Sequence, residues 1–80
     1  MPNPSRYRQS APLVALGNAI REIRLSNGIS QENLALLSEV DRSYVGRIER
    51  GDNNIAVLTL AKIAKALGMS MSKLMQKAKL

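Results

Sequence analysis

Apolar side chains recur along residues 30–51 at the spacing of two short helices joined by a tight turn. The pattern places one helix over Gln31–Ser38 and a second over Arg42–Arg50. The positions that can meet where these helices cross are Leu34, Ala35, Val40, Val45 and Ile48. Asp41 stands just before the second helix, where we expect its carboxylate to accept from free backbone N–H groups.

The same spacing predicts three further helices and no strand, so the expected fold is an all-α, compact bundle of five short helices. The first helix begins near residues 10–12 and ends at Gly28, the fourth spans about 56–67, and the fifth spans about 70–77. Ser10, Ser30 and Ser70 are the candidate helix caps. Residues 1–9 contain two prolines and two arginines, and we expect a flexible N-terminal arm ahead of one domain, residues 10–80.

Composition narrows the possible functions. Histidine and cysteine are both absent, which removes the commonest general base, thiolate metal sites and disulfides. The six acidic residues are scattered singly, so we expect no enzyme, no catalytic residue, no metal and no cofactor. A net charge of +6 favours binding to nucleic acid or to an anionic membrane surface. No run approaches the roughly 20 apolar residues of a membrane span, and we expect a cytoplasmic protein.

The outward face of the Arg42–Arg50 helix is suited to meeting an anion. It carries three arginines and no acid, and its members are Arg42, Ser43, Tyr44, Gly46, Arg47 and Arg50. An α-helix fits the DNA major groove, and the residues of its N-terminal part can reach base edges there.

Several short motifs in this region resemble the helix-turn-helix of the Cro/repressor-type (XRE) DNA-binding domains. They are Ser30-Gln31-Glu32, Leu34-Ala35, Asp41-Arg42-Ser43-Tyr44-Val45 and Ile48-Glu49-Arg50-Gly51. The resemblance extends upstream through residues 20–28 and downstream through residues 60–74, and it implies a lambda-repressor-like fold. Residues 41–50 look most like the small controller proteins of restriction-modification systems.

The resemblance, together with position along the helices, assigns roles to the polar residues of this region. The expected base-reading residues are Arg42, Ser43 and Arg47. Gln31 matches a glutamine that contacts a phosphate in the family. From their positions on and just after the Arg42–Arg50 helix, we also expect phosphate contacts from Tyr44, Arg50, Asn53 and Asn54, with packing alone as the alternative for Tyr44. Arg24 and Glu49 match a partly buried ion pair that ties the first helix to the third, so we assign them to structure.

Two positions depart from the family pattern. The turn after the first of the two helices usually has glycine or asparagine in a left-handed conformation, and here it has Glu39. Because a left-handed conformation costs such a residue roughly 1–2 kcal/mol, the sequence leaves open whether the turn keeps its usual shape. Ala56 stands where the family usually has a capping serine, with Asn54 as a partial substitute.

Leu58 is apolar at a fourth-helix position where the family usually shows a charged side chain. Together with Val57, Met71 and Met75 it is expected to form an apolar dimer interface. We therefore expect a homodimeric, sequence-specific transcriptional regulator that binds double-stranded DNA at a pseudo-palindromic operator. The alternative is the antitoxin of a toxin–antitoxin pair, which binds DNA and a protein partner. An interpretation from a different class is an adaptor or membrane-surface protein that uses its basic face without sequence preference.

Overall fold

A computed structural model describes residues 10–80 and shows a bundle of helices. The helices are α1 (Ala11–Ser26), α2 (Gln31–Ser38), α3 (Arg42–Arg50), α4 (Val57–Ala66) and α5 (Met71–Lys77). Residues 10–80 contain no strand, so the predicted all-α bundle is confirmed, with boundaries within about two residues of those expected. The predicted N-terminal arm, residues 1–9, lies outside the described residues. No helix in the described part of the chain has the length and apolar run needed to cross a bilayer.

One aliphatic core joins all five helices. Each helix contributes a side chain that is at most 1% exposed, namely Ile20, Leu34, Val45, Ile63 and Leu74 in chain order. Burying each such side chain is worth about 1.5–3 kcal/mol relative to leaving it in water. Helical spacing predicts these inward positions because residues three and four apart share one helix face.

Two of the four predicted side-chain caps are present. The hydroxyl of Ser30 accepts from the Asn33 backbone nitrogen and that of Ser70 from the Lys73 backbone nitrogen, both at 3.0 Å. The prediction for Asp41 was wrong in its chemistry: it is the N-cap residue of α3, but its carboxylate accepts no capping hydrogen bond. The Asp41 side chain is exposed, where water competes for the carboxylate. Ser10 also makes no side-chain cap, and Ala56, the N-cap residue of α4, provides none either.

The turn between α2 and α3 keeps the left-handed shape despite its glutamate. Glu39 has φ 61° and ψ 40°, the conformation that glycine or asparagine usually supplies. Backbone bonds on both sides hold it there, including one from the Val40 nitrogen to the Ala35 carbonyl oxygen at 3.0 Å. Val40 then packs against the core. The direction of α3 is therefore set by packing before and after Glu39, whose backbone is strained.

α1 crosses the C-terminal end of α3 at a distance that only glycine permits. A Cβ on Gly17 would collide with the carbonyl oxygen of Ile48 and lie 2.7 Å from that of Glu49. Gly51, with φ 76°, ends α3, and a Cβ there would lie 2.9 Å from a methyl carbon of Val14. These approaches fix the placement of α3 on α1, and sequence spacing gave no sign of the contact at Gly17.

Candidate nucleic-acid interface

α3 has one face in the core and one face toward solvent. Val45 and Ile48 are buried, whereas Arg42 and Ser43 are exposed at the start of the helix. The expectation that Gly46 faces outward was wrong, because Gly46 is buried. A Cβ at Gly46 would lie 3.3 Å from Nη1 of Arg50 and 3.8 Å from Oε1 of Gln31, so these two side chains lie across it.

The Arg47 side chain is held by two neighbours. Its guanidinium carbon lies 5.7 Å from the centroid of the Tyr44 ring, within range of a cation–π interaction. Its Nε donates to the side-chain oxygen of Asn53 at 3.1 Å when that amide is oriented to satisfy its surroundings. The sequence predicts that Asn53 and Tyr44 contact phosphates. In the structure both side chains contact Arg47.

A buried network lies beneath α3. Arg24 donates from Nε to Glu49 Oε2 at 2.6 Å and from Nη2 to Glu49 Oε1 at 3.0 Å. Its Nη1 donates to the carbonyl oxygen of Ile29 at 3.0 Å. The two charged side chains are only 8% and 2% exposed, so the ion pair joins α1 to α3 inside the protein.

Gln31 takes part in this network, which sequence analysis did not foresee. Its Nε2 donates to Glu49 Oε1 at 3.0 Å, so α2, α1 and α3 meet at one carboxylate. Gln31 is half-buried at the first position of α2, next to backbone N–H groups that favour anions. Among the residues that the structure describes, every buried side-chain nitrogen or oxygen has a hydrogen-bond partner.

The segment that leaves α3 carries the remaining predicted phosphate contacts. Arg50 pairs with Asp52 through Nε and Oδ2 at 2.9 Å, and the Arg50 side chain is 62% exposed. Such an exposed pair contributes little to stability, so the arginine can exchange its partner for a phosphate at low cost. Asn54 is exposed two residues further along.

The predicted dimer residues divide into two kinds. Val57 and Leu58 at the start of α4 are 68% and 78% exposed. Met71 and Met75 on α5 are half-buried and pack against the core. Leu36 and Leu37 on α2 are a second exposed apolar pair, which sequence analysis did not single out. The signal was present, because α2 buries Leu34 and Ala35 and the next two residues then point to other faces.

Comparisons with known proteins agree on the kind of domain that this interface belongs to. Residues 20–74 match a family model described as helix-turn-helix. Control protein C.SmaI from Serratia marcescens is 42% identical over 60 residues, which cover 75% of this chain and 71% of that protein. Control protein C.BamHI from Bacillus amyloliquefaciens is 44% identical over 54 residues, which cover 66% and 67%. The crystal structure of the restriction-modification controller protein C.AhdI from Aeromonas hydrophila has a TM-score of 0.78 at 47% identity and covers 80% of this chain and 97% of that one.

Proposed function

This chain belongs to the XRE-type helix-turn-helix family of DNA-binding regulators, and we propose that it reads a pseudo-palindromic operator as a dimer, with one α3 in each half-site. Family membership places it among non-enzymatic DNA-binding proteins, as expected from its composition. Its similarity to control proteins supports the narrower proposal that it is the controller of a restriction-modification system. The antitoxin alternative, which adds a protein partner to the same DNA-binding surface, stays a prediction.

The observation that carries the proposal is the outward face of α3. Arg42 and Ser43 are exposed in its first turn, and Arg47 lies one turn further along with its side chain already held in place. Arginine can donate twice to O6 and N7 of guanine, and serine can contact a base edge or a phosphate. Together they form the base-reading set of the proposal.

Phosphate contacts at both ends of the motif would set the register of α3 in the groove. Gln31 stands at the N-terminus of α2, where backbone N–H groups and the helix dipole favour an anion. Arg50 and Asn54 stand where the chain leaves α3. These groups contribute affinity that is equal for all sequences, because phosphates carry no base identity.

The dimer proposal rests on the exposed apolar start of α4. Two subunits related by a two-fold axis place their recognition helices about 34–36 Å apart, one turn of DNA. Such a dimer needs a self-complementary surface. Val57 and Leu58 provide exposed apolar area there, and Met71 and Met75 would supply further apolar area from α5.

Selection of DNA from a random duplex library by the purified protein tests the proposal. We expect the wild-type protein to enrich an inverted repeat. R47A should lose discrimination at one base pair in each half-site, by about 1–3 kcal/mol, while Q31A weakens binding to all sequences alike. K62A, which removes an exposed α4 lysine, serves as the matched control for a lost charge. Failure to enrich any sequence would overturn sequence-specific binding, and an unchanged R47A preference would remove Arg47 from the reading set.

A further inference from the structure

We propose that Asn53 is a positioning residue for Arg47 and thereby a determinant of which base pair α3 reads. Asn53 lies outside the recognition helix, in the loop that follows it, and is expected from sequence to contact a phosphate. Its geometry points to a different role, because its amide oxygen accepts a hydrogen bond from Arg47 on the outward face of α3. The inference rests on the proposed base-reading function of Arg47.

The orientation of the Asn53 amide follows from its two neighbours. With its oxygen toward Arg47, it accepts from Nε at 3.1 Å, and its nitrogen donates to the Asp52 carbonyl oxygen at 3.0 Å. The opposite orientation would set the amide oxygen against an acceptor and the nitrogen against a donor. An amide has both functions, so the hydrogen-bonding orientation is the one its surroundings select.

The backbone conformation after α3 places Asn53 beside Arg47. Gly51 takes a left-handed φ of 76° at the end of α3 and turns the chain back. The Asp52 nitrogen then donates to the Arg47 carbonyl oxygen at 2.9 Å. The following residue is therefore held beside Arg47, which is tied to the loop through both its main chain and its side chain.

The two terminal amino groups of Arg47 are suited to bidentate recognition of guanine. Nε is engaged by Asn53, and the guanidinium lies over the Tyr44 ring. The two terminal amino groups remain as a parallel pair of donors, which matches the two acceptors on the major-groove edge of guanine. An arginine restrained in this way loses less side-chain freedom on binding than an unrestrained one.

The experiment uses operator DNA selected by the wild-type protein and a panel of operators with single base-pair changes. Affinities are measured for wild type, R47A, N53A, the double variant and N54A, whose asparagine is the exposed neighbour in the same loop. We expect N53A to lose about two- to twelvefold in discrimination, the worth of one hydrogen bond, at the same base pair as R47A. In the R47A background, N53A should change nothing further. N54A, at a proposed phosphate contact, should lower affinity for all operators alike and leave the preference profile unchanged.

A phosphate contact from Asn53 would give another result. N53A would then weaken binding to every operator alike and would add its full effect to that of R47A, which would overturn the positioning role while leaving Arg47 as a reader. An R47A protein with unchanged base preference would overturn the reading function and this inference together. N53D keeps the accepting oxygen, so we expect it to retain discrimination at the Arg47 base pair while its added charge lowers affinity uniformly. Loss of discrimination in N53D equal to that in N53A would also overturn the proposal, and thermal melts identify any variant that fails to fold.

Discussion

Replacing Glu49 by alanine should destabilise this domain more than any substitution of an exposed acid. The Glu49 carboxylate is 2% exposed and accepts three hydrogen bonds, two from Arg24 and one from Gln31. Alanine removes both carboxylate oxygens, and with them all three hydrogen bonds, while the Arg24 charge stays buried between α1 and α3. Arg24 would keep the Ile29 carbonyl oxygen as its remaining acceptor among those seen in the structure.

The magnitude follows from the orphaned charge. Breaking a buried pair by removing one partner costs about 3–5 kcal/mol. Small domains are stable by about 5–15 kcal/mol in total, so the loss removes a large share of the stability. At about 4–8 °C per kcal/mol for a domain of this size, the melting temperature should fall by at least about 12 °C.

Urea denaturation followed by circular dichroism measures this effect. E22A is the matched control, because Glu22 is exposed on the same helix as Arg24, and it should stay within about 0.5 kcal/mol of wild type. The double variant R24M/E49L removes both charges and should recover most of the loss, since no buried ion is left without a partner. An E49A protein within about 1 kcal/mol of wild type would refute the reasoning, because a buried charge that has lost its partner costs several times that amount.

Three further predictions concern packing, the turn and assembly. G17A should lower the free energy of unfolding by about 1–3 kcal/mol in urea melts, because its Cβ would overlap backbone carbonyl groups of α3. A G17A protein as stable as wild type would contradict the close crossing. E39G should raise the free energy of unfolding by about 1 kcal/mol by relieving the left-handed strain, and a lower melting temperature would contradict this. L58E should give a folded monomer by sedimentation that binds isolated half-sites normally and full operators less cooperatively. If the L58E protein remains dimeric, the dimer interface lies elsewhere, and the N-terminal half of α1 is the next candidate.

The helices were predictable because their signals are local. Ser30 and Ser70 mark starts, glycines mark ends, and apolar spacing selects inward residues such as Ile20 and Leu34. The Arg24–Glu49 pair was accessible only through the family resemblance, because the partners are separated by 25 residues and nothing in either segment alone requires the other.

The parts that escaped prediction depend on distances between segments. Gly17 looks like an ordinary interruption of a helix until α3 is placed against it. Asn53 looks like a loop residue until the turn at Gly51 brings its amide to Arg47. At Glu39 local preference opposed the left-handed turn, and packing on both sides of the turn prevailed over that preference.

The buried network under α3 has a consequence for recognition as well as for stability. Apolar contacts at Val45 and Ile48 favour burial but are not directional, so they tolerate small rotations of a helix about its axis. The bidentate bonds between Arg24 and Glu49 are directional and fix that rotation. The same rotation sets the direction in which the outward side chains of α3 point, including that of Arg47. We therefore expect R24M/E49L, although restored in stability, to discriminate less well than wild type at the Arg47 base pair. Unchanged discrimination in this variant would show that apolar packing alone is enough to aim α3.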